Sequence, residues 1–178
     1  MTTTTTETVT DFDARPIDPA VLAELRLADD AGRAPEAQHH AEGGAPLRCC
    51  LRRAEPGADL LLLSYAPLRR WAAETGADPG PYEELGPVFV HARAEDCPGA
   101  EPGYPVAMHR GDRVLRAYDR DGRILRGVPV QPDAELHREV LCALFSDPEV
   151  ALVHVRAVEF GCFFHEVRRP VRAVRVGR

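Results

Sequence analysis

Apolar residues recur with helical spacing in two stretches of the chain and with strand spacing in most of the rest. Behind Asp18-Pro19, the residues Val21, Leu22, Leu25 and Ala28 form one stripe. Asp can cap a helix and Pro fits its first turn, so a helix is expected through Asp30. A longer helix is expected over Asp133 to Phe145, with Leu136, Val140, Leu141 and Leu144 on its apolar face and Pro148 at its exit. Between them the period drops toward two. Cys49 to Arg53, Leu60 to Tyr65 and Val88 to Ala92 read as strands, Leu60 to Tyr65 being the most apolar. Arg113 to Tyr118 and Ile124 to Val130 flank Asp119-Arg120-Asp121-Gly122, whose Asp-Gly step is a hairpin signal. Val150 to Val158 and Cys162 to Val167 form a last strand pair around Glu159, Phe160 and Gly161. Gly32 to Pro46, rich in Gly, Pro, Ala and His, reads as a long loop.

Short strands joined by hairpins, with two principal helices, predict an α+β fold. The expected form is a mainly antiparallel, strongly curved sheet or partial barrel. The 178 residues suit one domain. It is expected over 12–169, between a flexible N-terminal tail at 1–11 and an Arg-rich C-terminal tail at 170–178. No glycine-rich nucleotide loop follows a strand, and no internal repeat is present. Apolar runs such as Leu60 to Leu63 are far short of the roughly 20 residues that span a bilayer. Met1 to Thr10 is polar and threonine-rich, unlike a signal peptide. A cytoplasmic location and no membrane partner are therefore expected.

Charge narrows the chemistry. The formal net charge is -6, and all 22 basic residues are Arg, with no Lys. That removes lysine Schiff-base and nucleophile chemistry. An acidic total without a dense basic block argues against nucleic acid as a partner. The first 101 residues hold 18 acidic and nine basic side chains, and the remainder ten and 13. Such asymmetry suits a self-complementary contact, so a homo-oligomer is a candidate assembly.

Strand alternation selects the candidate site residues. His154 and Arg156 share one face of their strand, and Arg116 and Tyr118 share one face of theirs. Arg is a fork for a carboxylate or phosphate, His a proton donor or acceptor, and Tyr a hydrogen-bond donor. Arg116, Tyr118 and Arg156 are thus the candidate ligand-binding residues for a small anionic partner. Internal pairing with Asp or Glu satisfies the same Arg residues equally well. Pro81-Tyr82-Glu83-Glu84 offers such carboxylates. His91 ends a strand six residues before Cys97 and can poise its thiolate if the loop folds back. His91, Cys97 and His154 are the candidate catalytic residues.

There are five Cys and no CxxC pair. Cys49 and Cys50, if in a strand, point to opposite faces. No metal ligands and no cofactor are therefore assigned. A metal could reach a set assembled from distant positions, such as His91, Cys97, His154 and Cys162.

Several segments occur in an order that resembles a known family. They are Arg48-Cys49-Cys50-Leu51, Leu61-Leu62-Leu63-Ser64-Tyr65-Ala66-Pro67, Gly86-Pro87-Val88-Phe89-Val90-His91-Ala92 and Cys97. Leu115-Arg116-Ala117-Tyr118, Val153-His154-Val155-Arg156 and Gly161-Cys162 follow. Together, over about Phe12 to Arg169, they resemble the bacterial family of uncharacterised proteins catalogued as domain of unknown function 1203. The resemblance implies that these residues belong to the family pattern, but it supplies no activity. It also implies a further Cys after the position of Cys162, where this chain has Phe163, Phe164 and His165. That departure counts against a redox or zinc site built on a terminal Cys pair. Three expectations stand: a binding domain or enzyme for a small anion, a non-catalytic structural or interaction domain, and a Cys/His thiol or metal site. The third uses His91 and Cys97 with Cys50 or Cys162.

Overall fold

The computed structural model describes residues 12–108 and 110–169, so the two expected tails lie outside the described residues. The chain runs through β1 (Asp13–Arg15), α1 (Pro19–Leu27), β2 (Glu36–His40), β3 (Pro46–Leu47), β4 (Arg52–Arg53) and β5 (Ala58–Tyr65). It continues through α2 (Pro67–Thr75), β6 (Gly86–His91), β7 (Arg113–Tyr118), β8 (Ile124–Val130), α3 (Ala134–Ser146), β9 (Leu152–Ala157) and β10 (Phe163–Arg168). The α+β class and the dominance of antiparallel pairing are as expected. The strands form two five-stranded sheets, in the orders β1-β10-β9-β7-β8 and β2-β5-β6-β3-β4.

The expected strongly curved sheet or partial barrel is not what forms: neither sheet closes or curls strongly. Edge chemistry supplies a reason. β8 carries Gly127 and Pro129, and Pro has no N–H to pass a ladder on to a further strand. The one parallel pairing among the described strands is β3 with β6, through Leu47 and Phe89.

Local sequence accounts for the helices. The Asp18 carboxylate accepts the Ala20 N–H at 2.8 Å, and Asp133 accepts the Leu136 N–H at 2.9 Å. α3 buries His137, Leu141, Leu144 and Phe145. The stripe is rotated from the expected one, leaving Leu136 on the exposed side. α2 was not expected from the sequence. Its Arg69-Arg70 face masks the apolar stripe Leu68, Trp71 and Ala72. Its signal was punctuation: Pro67 opens the helix, and Gly76 closes it at φ 77°. β2 lies inside the expected loop and pairs with β5 from Glu36↔Leu62 to His40↔Ala58.

One core lies under the first sheet against α3, around Leu115, Leu141, Val153, Val155 and Val167. Another lies under the second sheet against α1, around Leu22, Leu25, Leu60, Val88 and Val90. The cores exchange residues. Phe163 of β10 packs into the second, and Leu51, from the link between β3 and β4, packs into the first.

Candidate functional site

The link from β3 to β4 is a tight turn where the sequence suggested a strand from Cys49 to Arg53. The Leu51 N–H donates to the Leu47 carbonyl at 3.0 Å. Leu51 sits at φ 55°, an uncommon conformation for a branched side chain. Its side chain is buried in the first core, which offsets the strain. Arg48 holds the turn from beneath, donating to the carbonyls of Phe163 (2.8 Å) and Pro46. The alternation expected of a strand therefore does not apply to Cys49 and Cys50, and their thiols can face one point.

That point is the end of β6. The parallel register pairs Leu47 with Phe89, so two residues on Cys49 comes beside His91. Cys49 Sγ lies 3.3 Å from His91 Nδ1, and Cys50 Sγ lies 4.0 Å from it. The loop after β6 folds back through the Cys97 N–H to the Ala94 carbonyl, at 3.2 Å. This brings Cys97 to the same place. The donor atoms of Cys49, Cys50, His91 and Cys97 all lie within 4.8 Å of one another. A tetrahedral zinc ion sets its sulfur and nitrogen ligands about 3.5–3.8 Å apart, given Zn–S near 2.3 Å and Zn–N near 2.0–2.1 Å. The two measured sulfur–nitrogen separations bracket that spacing.

One sulfur also receives a backbone amide: the His91 N–H donates to Cys49 Sγ at 3.4 Å. An N–H group aimed at sulfur favours thiolate over thiol. Without a cation, three thiolates cannot share this space. The hydrogen bond with Cys50, followed by burial, pushes the Cys49 thiol up, while the same bond pulls Cys50 down. Burial pushes Cys97 up. Burial, followed in smaller part by the charge of Arg26 and opposed by Asp96, lowers His91. A neutral imidazole is the form that ligates metal.

His91 and Cys97, expected as a catalytic pair, are therefore brought together, and Cys50 joins them as the metal reading expected. His154 and Cys162 are not part of this group. His154 is wholly buried, with Tyr118 at 4.7 Å and Phe163 at 5.0 Å between ring centroids. Burial holds its pKa well below that of an ordinary histidine. Arg116 and Arg156 both meet Glu84, at 2.7 and 2.6 Å from its two carboxylate oxygens. Tyr118 is buried beneath them. The acid that the Pro81 to Glu84 segment offered is thus in contact with both Arg side chains.

Sequence reasoning missed Cys49 as a member of the group. The adjacent Cys pair was the available signal, and the strand assignment hid it. Among the described residues, no helix is long and apolar enough to cross a membrane. A family model described as a protein of unknown function (DUF1203) matches residues 44–169 and so contains all four members of the cluster. The match begins later than the resemblance over 12–169 suggested. No curated protein and no solved structure matches the chain.

Proposed function

The chain belongs to the DUF1203 family, and we propose that it is a metal-binding domain whose Cys49, Cys50, His91 and Cys97 hold one zinc ion. The observation that carries this reading is the convergence of three sulfurs and one imidazole nitrogen within 4.8 Å, with the Cys49 sulfur also meeting the His91 N–H. Soft sulfur donors with one imidazole select zinc among common divalent ions. Four protein ligands complete a tetrahedron and leave no open position for substrate, the pattern of a structural rather than a catalytic ion.

Three thiolates, a neutral imidazole and a divalent cation leave one net negative charge. Arg26, which reaches the His91 carbonyl at 3.4 Å, partly balances it. The role of the ion is mechanical. It ties the turn of residues 48–51 to the end of β6 and to the loop carrying Cys97. Binding energy at such a site is folding energy, because the unfolded chain does not present the ligands together.

The test is metal analysis of protein made without a metal-affinity tag and grown with zinc. About one equivalent per chain is expected for a single closed site. Cys97→Ser and His91→Ala should lose it, and Cys142→Ser and Cys162→Ser should retain it. A strong chelator should lower the melting temperature of the native protein and leave that of Cys97→Ser unchanged. Wild-type protein with no metal, or Cys97→Ser with full occupancy, overturns the proposal.

A further inference from the structure

A second feature lies on the other side of Arg48. A cleft of about 530 Å³ opens between the two sheets, and its lining includes Arg48, Arg53, Arg110 and Arg113. Glu159 is the single acidic residue in that lining, and its carboxylate stands 3.8 Å from Arg113 Nη1. Arg48 and Arg113 are 3% and 2% exposed. Charged groups this deeply buried ordinarily sit against a counter-charge. Here the guanidiniums are held mainly by main-chain carbonyls. Arg48 donates to Phe163 and Pro46, Arg53 to Gly44 (3.0 Å) and Met108 (3.3 Å), and Arg113 to Asp112 (2.7 Å) and Met108 (3.0 Å). A carbonyl positions a guanidinium without neutralising it. The Nε atoms of Arg53 and Arg113 are buried with no hydrogen-bond partner.

The aromatic wall completes the picture. The guanidinium carbons of Arg113, Arg48 and Arg53 lie 4.2, 4.9 and 5.9 Å from the centre of the Phe164 ring. Stacking on a ring holds the planar Arg fork in place. A larger cleft, about 750 Å³, differs in kind. Its Arg15 and Arg168 pair with Asp13, Glu74 and Glu166 at 2.6–2.7 Å, and its Arg70 pairs with Asp30 at 2.7 Å.

We propose that the cleft of Arg48, Arg53, Arg110 and Arg113 binds a small organic oxyanion, a phosphate or carboxylate carried on an apolar body. The anionic group lies among the guanidiniums, as the counter-charge that Glu159 alone supplies only at 3.8 Å from one of them. The apolar body lies along Phe89, Phe164 and Phe160, the last of these an 85% exposed side chain at the rim. Glu159 is a weak internal competitor, placed where it can swing away into solvent. The site is separate from the zinc site, and neither proposal requires the other.

Titration calorimetry at low ionic strength with phenyl phosphate, benzoate and inorganic phosphate tests it. Phenyl phosphate or benzoate should bind with a dissociation constant in the millimolar range or below. The better of the two identifies the oxyanion, and phenyl phosphate should bind more tightly than inorganic phosphate. Arg113→Met should weaken binding about tenfold or more, the loss of one charge-assisted contact. Arg110→Gln, at an exposed position, gives the same direction if Arg113→Met does not fold. Glu159→Gln should strengthen binding several-fold, and Glu139→Gln, the same charge change on the exposed side of α3, should leave it unchanged. The proposal is overturned if neither organic anion binds. It is equally overturned if Glu159→Gln and Glu139→Gln act alike, which marks diffuse charge attraction. Metal content measured on the same samples should stay constant, so failure here is distinct from failure of the zinc reading.

Discussion

His165 on β10 has no exposed surface, and its ring meets Tyr104 edge-on at 5.5 Å between centroids. Burial, opposed by the Glu166 carbonyl and reinforced by the charges of His137, Arg113 and Arg48, pushes its pKa down to about 3. The unfolded chain takes up the same proton near pH 6.5. Between these values the unfolded state binds more protons than the folded one. Stability therefore falls as pH falls, by about 1.4 kcal/mol per pH unit from this group. The contribution is intact above pH 6.5. By about pH 4.5, two units below the unfolded pKa, about 2.7 kcal/mol of it is lost.

His165→Gln cannot take the proton. Urea unfolding of both proteins at about pH 7.5 and about pH 4.5 isolates the effect as a double difference. The pH-independent cost of the substitution cancels, as do titrations common to both proteins. The wild type should lose about 2.5 kcal/mol more than the variant over this range. His165→Phe provides a second, apolar version of the same comparison. Equal losses in wild type and both variants would refute the reasoning, because the buried imidazole would then be accepting its proton at an ordinary pKa.

Other expectations follow from single contacts. Glu84→Gln leaves Arg116 and Arg156 together without their shared carboxylate and should cost about 1–3 kcal/mol in urea unfolding, less than a fully buried pair because Glu84 is partly exposed. A loss within about 0.5 kcal/mol, as at an ordinary surface site, would mean that Glu84 is not their main partner. Gly43 sits at φ 70°, and a Cβ there would lie 2.6 Å from the Ala54 carbonyl oxygen. Gly43→Ala should therefore destabilise by about 2 kcal/mol or more, through both the left-handed backbone and the clash with main chain. At Gly44, φ 82°, a Cβ meets nothing within 4 Å, so Gly44→Ala should cost less. Thermal melts of the two variants side by side would expose an error in this ordering.

The two proposed sites differ in what gave them away. Arg48 belongs to both neighbourhoods: its backbone precedes the Cys pair, and its side chain lines the anion cleft. Substituting Arg48 therefore perturbs the turn and the cleft together. The tests rest on Cys97, His91, Arg113, Arg110 and Glu159, each confined to one of them.

What the sequence determined by itself is local. Hydrophobic period, Asp caps and hairpin turns placed α1, α3 and most strands, because each depends on residues only a few positions apart. The absence of Lys excluded lysine Schiff-base and nucleophile chemistry on composition alone. The tertiary structure decided everything that depends on register between distant segments. Cys49 meets His91 because β3 and β6 run parallel with Leu47 beside Phe89. Cys49 and Cys50 face together in a tight turn in which Leu51 adopts a left-handed conformation and is buried in the other core. Arg116 and Arg156, read from alternation as an anion site, meet Glu84 because the segment before β6 crosses their strand face. Arg48, Arg53 and Arg113 lie in three different segments, and Phe164 of a fourth gathers them. Periodicity reports which face a residue occupies; packing between sheets decides what it meets there.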